Sequence, residues 1–77
     1  MKANIKKAVI ILLKNSAASS CNQIKIVDDG ENIRIFSLDK EGETRKVFYH
    51  SEFSVLDQFG LSHYIDNTEG KLNMVIY

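Results

Sequence analysis

Apolar residues recur every third or fourth position near the start of the chain and every second position after residue 22. Ile5, Val9, Leu12, Leu13 and Ser16 fall on one face at 3.6 residues per turn, which predicts an amphipathic helix. Asn4 is placed to cap it, and it should fray by Ser19 or Ser20. Ile10 and Ile11 fall outside the stripe, on the side of Lys7 and Lys14, so a second contact is expected there.

From Gln23 the period changes to two. Asp29-Gly30 predicts a two-residue hairpin turn that sets Asp28 opposite Glu31, Ile26 opposite Ile33 and Ile24 opposite Ile35. Lys40-Glu41-Gly42 predicts a second turn with Gly42 left-handed, setting Ile35 opposite Val47 and Ile33 opposite Tyr49. Both registers collect Ile24, Ile26, Ile33, Ile35, Val47 and Tyr49 on one face, where the first helix should pack. The opposite face then interleaves Phe36 and Phe48 with Lys25, Arg34, Lys46 and His50, Phe36 facing Lys46 and Arg34 facing Phe48.

Ser51 to Leu61 reads as a second helix with Ser51 as N-cap, Gly60 just past its end and Leu61 as the following hydrophobic contact. A last hairpin follows, turning around Thr68-Glu69-Gly70, with Leu72, Met74 and Ile76 on one face of its second strand. Residues 72–77 carry no charge and no proline, so they belong inside a sheet or against another chain. The expected fold is a small single α+β domain over residues 1–77, in the order α-β-β-β-α-β-β, with an antiparallel sheet and helix 1 packed on one face. Helix, three strands, helix resembles the element order of the double-stranded-RNA-binding module. Ser51 to Leu61 contains no Lys or Arg, unlike that module's second helix, so no function is carried over.

Composition narrows the function classes. A chain of 77 residues holds one domain with a thin core, and an oligomer is a common remedy. The formal net charge is zero, which argues against a strongly basic nucleic-acid module, yet the charges are separated. Lys2, Lys6, Lys7, Lys14 and Lys25 precede any acid, whereas Asp28, Asp29, Glu31, Asp39, Glu41 and Glu43 crowd the two turns. Met1 to Cys21 has some features of a lipoprotein signal, with early lysines and small residues before the cysteine. Its apolar run, Ala8 to Leu13, is too short, and an amphipathic helix is the better reading.

Cys21, His50 and His63 cannot supply a four-ligand zinc site, and no Gly-rich phosphate cradle is present. The expectation is therefore a non-enzymatic module without cofactor or metal, cytoplasmic and not membrane-bound, of bacterial or phage character. It acts through protein–protein contacts as a regulator and forms a homodimer. The candidate contact residues are Lys7, Ile10, Ile11 and Lys14 on helix 1 and Arg34, Phe36, Lys46 and Phe48 on the sheet. A weak nucleic-acid binder using the latter four is the second reading, since rings stack on bases while cations track phosphates. A small enzyme around His50 or His63 is the third.

Overall fold

Helix α1 spans Ala3–Ala18 and buries Ile5, Ala8, Val9 and Leu12 at helical spacing. The structure is a computed structural model and describes residues 2–77. Strands β1 (Asn22–Asp28) and β2 (Ile33–Asp39) form a hairpin, α2 spans His50–Gln58, and β3 (His63–Asp66) and β4 (Asn73–Ile76) close the chain. The four strands form one antiparallel sheet in the order β1-β2-β4-β3. Both helices lie on one face, where Ile33, Ile35, Met74 and Ile76 meet the buried side of α1 and Val55 and Leu56 of α2. The α+β class, the antiparallel sheet and the placement of helix 1 match expectation; the element order is α-β-β-α-β-β, one strand fewer.

The missing strand is the one expected after the second turn. That turn forms, with Gly42 at φ 86° and the Asp39 carboxylate accepting the amides of Glu41 and Glu43. Only Leu38 and Thr44 then bridge, with the Arg45 amide donating to the Ser37 carbonyl at 2.7 Å. Beyond that point β2 is already paired, Ile35 with Met74 and Ile33 with Ile76. Met74 and Ile76 bury fully in those positions, whereas Val47 and Tyr49, expected there, remain 57% and 43% exposed. The resemblance to the double-stranded-RNA-binding order disappears with the strand.

The first hairpin keeps its faces but slips by two residues. Asp28 pairs with Ile33, Ile26 with Ile35 and Ile24 with Ser37. The cause is Asp29, whose Oδ1 accepts the amides of Glu31 (3.0 Å) and Asn32 (2.7 Å) and so stabilises a longer loop. A slip of two leaves every side chain on its original side.

The caps differ too. Lys2, not Asn4, precedes α1; Asn4 instead donates Nδ2 to the Phe59 carbonyl at 3.4 Å, tying the start of α1 to the end of α2. Tyr49, not Ser51, is the N-cap of α2. The end of α2 follows the sequence: Gly60 at φ 64° donates to Asp57 at 3.0 Å and Leu61 to Leu56 at 3.1 Å, the paired bonds of a glycine-terminated helix.

Candidate functional site

The outward face of α1 carries the first group of candidates. Lys6, Ile10, Leu13 and Ala17 form one row at spacings of three and four, with Lys7 and Lys14 beside it. Ile10 is 51% exposed and Leu13, expected in the core, is 44% exposed. Ile11, expected to point outward with Ile10, packs against the core instead. The row therefore holds Ile10 and Leu13 rather than Ile10 and Ile11. Among the described residues Lys6, Lys7 and Lys14 make no ion pair. The helix has no acid in its first turn to oppose the positive end of its dipole.

The helix-free face of the sheet carries the second group, but not as expected. Phe36 lies opposite Lys25, whose ammonium sits 6.0 Å from the ring centroid, and Arg34 lies between Val27 and Val75. Phe48 is not on this face: it packs against the core, edge-on to Phe53 at 6.1 Å. Lys46 is exposed on the segment before it and borders a separate hollow with Leu72. The expected set of four is thus divided, because it relied on the strand that does not form.

Arg34 is engaged within the fold through Nε and Nη1. Its Nε meets Asp29 at 3.0 Å, and its Nη1 meets Asp66 at 2.8 Å and Asn73 Oδ1 at 3.0 Å. Asp29 first and Asp66 second hold the guanidinium more firmly protonated. The amides of Asn32 and Glu31, then Arg34, lower the Asp29 carboxyl. Arg34 thus ties β2 to the first loop and to both C-terminal strands. Around Phe36, Lys25 and Lys71 are accompanied by Glu43 and Glu69, so no uniform positive field surrounds the ring.

Sequence reasoning missed a third feature. A cleft of about 270 Å³ opens between the last turns of α1, the start of β1 and the start of α2. Leu12 and Ile24 supply apolar wall, Asn15, Ser16 and Ser51 supply polar rim, and Glu52 is the only ionisable carboxylate in the lining. Glu52 is 7% exposed, and both carboxylate oxygens are shut off from solvent, with the Tyr49 amide approaching them as donor. It stands at the third position of α2, from which a carboxylate turns back toward the N-cap amide, here that of Tyr49. Burial raises its pKa, outweighing the Tyr49 amide and the attraction of Arg45. Arg45 stacks its guanidinium on the Tyr49 ring at 3.9 Å and also leaves Nη1 buried without a partner. A glutamate just inside a helix reads in sequence as a solvated capping group; the N-cap at Tyr49 rotates it inward.

The titratable residues singled out for chemistry are dispersed. Cys21 is exposed, and His50 is exposed at the first position of α2. His63 is half-buried, with Nδ1 3.0 Å from the Leu61 carbonyl, Nε2 4.0 Å from Asp57 and its ring 5.9 Å from Phe53. Among the described residues no three His, Cys, Asp or Glu gather to hold a metal ion, and no helix is long and apolar enough to cross a membrane. Comparison with protein-family models, curated proteins and solved structures finds no match to this chain.

Proposed function

We propose that the protein is a small non-enzymatic binding module that acts by occupying a protein partner through the outward face of α1. The observation that carries this reading is the exposure of Ile10 and Leu13 side by side, flanked by Lys6, Lys7 and Lys14. Folding explains neither feature. The two aliphatics gain nothing from water, and Lys6 and Lys7, in the N-terminal half of α1, stand on the unfavourable side of its dipole. A partner with an apolar centre and an acidic rim fits both, the lysines steering encounter and the aliphatics supplying the buried contact.

A second copy suits this face poorly, since α1 against α1 would bring the lysines of both together. With β4 an interior strand, a homodimer is supported only by the thinness of the core. Nucleic-acid binding rested on Arg34, Phe36, Lys46 and Phe48 acting as one surface, and that support weakens with their separation.

The test is a photo-crosslinking amino acid at Leu13, with the same group at Glu41 in the second turn as control. Leu13 should trap one discrete protein, Glu41 should not, and Ile10→Asp should remove the adduct without lowering thermal stability. Equal adducts from both positions, or an adduct that survives Ile10→Asp, would sink the reading. Light scattering with a mixed-sequence oligonucleotide at low and high salt addresses the alternative: a mass gain confined to low salt would put nucleic acid first.

A further inference from the structure

The sheet has two free edges, and they are not alike. β3 is four residues long and ends at Asp66, whereas β1 runs for seven residues without proline, its only charges being Lys25 on the helix-free face and Asp28 at its end. The main-chain groups that β1 leaves unpaired can be identified. The Asp29 amide donates to the Asn32 carbonyl at 3.1 Å, one pair beyond Asp28 and Ile33, so the alternation of an antiparallel ladder turns the main chain of Gln23, Lys25 and Val27 toward β2. On β2 the carbonyl of Ser37, opposite Ile24, turns away from β1 and accepts from the Arg45 amide. The N–H and C=O groups of Ile24 and Ile26 therefore point out of the sheet, and their side chains lie half-buried on the helix side.

Helix α1 overhangs this edge. It lies closer to β1 than to any other strand, while α2 lies toward β3, where Phe53 and Asp57 meet His63. Asn4, bonded to the Phe59 carbonyl, and Asn15, on the cleft shared with Ser51, mark the side of α1 that faces α2. The opposite flank, about a quarter turn from the buried stripe, carries Lys6 and Leu13, with Ile10 next to them. The exposed aliphatics thus stand above the free edge of β1, and the two form the walls of an open notch.

We infer that this notch receives an extended, acidic segment of a partner protein, added to β1 as a fifth strand with apolar residues at alternate positions beneath Leu13 and Ile10. The inference rests on the reading that α1 meets a protein partner, and it specifies the form of that partner. Main-chain groups of Ile24 and Ile26 supply the hydrogen bonds, and the half-buried isoleucines and Leu13 supply the apolar wall. Charge selects the occupant: both walls are built from residues before Asp28, which include lysines and no acid, so a second copy pairing edge to edge would set like charges together.

The experiment is an amide chemical-shift and hydrogen-exchange titration of the full chain with a capped heptapeptide alternating Glu and Val. The same peptide N-methylated at its valines, the residues whose N–H groups turn toward β1, is the control. Binding in the roughly millimolar range is expected. At saturation the amides of Ile24 and Ile26 should exchange at least about tenfold more slowly, while those of Gln23, Lys25 and Val27, already bonded to β2, should not change. The N-methylated peptide should give no protection. Leu13→Asp, at an exposed position, should weaken binding about tenfold, whereas Ile65→Asp at the other edge should leave it unchanged. No protection, protection of both sets of amides alike, or equal binding of the N-methylated peptide would overturn the added strand. A dimer by light scattering with Ile24 and Ile26 protected before peptide is added would overturn it in favour of a second copy. A protein photo-adduct at Leu13 without peptide protection of Ile24 and Ile26 would leave α1 as the binding face and overturn the strand alone; peptide protection without the adduct would leave the strand and remove the reading of α1.

Discussion

On the helix side of the sheet, Ile35, Met74 and Ile76 are buried because α1 and α2 lie on them. On the other side Val75 and Asn73 are buried as completely with no helix above them. Val75 is flanked in register by Arg34 and Tyr64, and Asn73 is held by Arg34 and by the carbonyls of Asp66 and Lys71. One face excludes water by packed volume and the other by a polar network around one guanidinium. The first depends on shape and should be insensitive to salt; the second depends on charge and should not be.

That contrast can be broken most forcefully on the helix side. Leu56→Ala should cost about 2–5 kcal/mol in urea unfolding, a large part of the stability of so small a domain, with no dependence on salt. Arg34→Met, which keeps the aliphatic stem and removes the guanidinium, should cost less than the core cavity, and the difference from the parent protein should shrink as salt rises. A salt-independent loss as large as that of Leu56→Ala would mean that the second face is packed like the first.

The polar end of the core sharpens the comparison through pH. The folded pKa of Glu52 is raised, so the native state holds its proton more tightly than the unfolded chain does. Its contribution therefore falls as pH rises from its ordinary value of 4.5 through the folded value. Glu52→Gln should stabilise the protein at neutral pH by about 1 kcal/mol, and the gain should vanish toward pH 4. Asp29 has the opposite sign. Its pKa is lowered, so its contribution is present above 3.8 and lost as pH falls through the folded value. Denaturation midpoints across pH for parent, Glu52→Gln and Asp29→Asn separate the two. The smallest expected effect is that of Ile10→Asp, within about 0.5 kcal/mol of the parent, because that side chain contributes to neither buried face.

The helix stripe, the two sides of the hairpin, the glycine-terminated end of α2 and the interior position of residues 73–76 were legible because each rests on local period, turn chemistry or the hazard of an uncharged edge. The third strand was misread because a turn rule sees neighbours only. It favours residues 45–49 beside β2 and does not register that Met74 and Ile76, far along the chain, fill the same edge without bringing in Arg45 and Lys46. The Arg34 network was hidden for the same reason: its partners Asp66 and Asn73 lie 32 and 39 residues away. Of the candidate surface, Lys7, Ile10 and Lys14 stand where expected, and Leu13 replaces Ile11 because the buried stripe keeps Ile5, Val9 and Leu12 but turns toward Ala8, by less than the roughly 100° of one residue.

The interior position of β4 also orders events in time. As the chain leaves a ribosome, α1, the first hairpin and residues 45–49 emerge well before residues 73–76. Throughout that interval the free edge of Ile33–Ile35 has only the nearer segment for company. The strand that completes the sheet arrives last and must form contacts of long sequence separation, the slow class of pairing. Emergence of residues 73–76, rather than formation of the hairpin, is the step on which the native sheet waits.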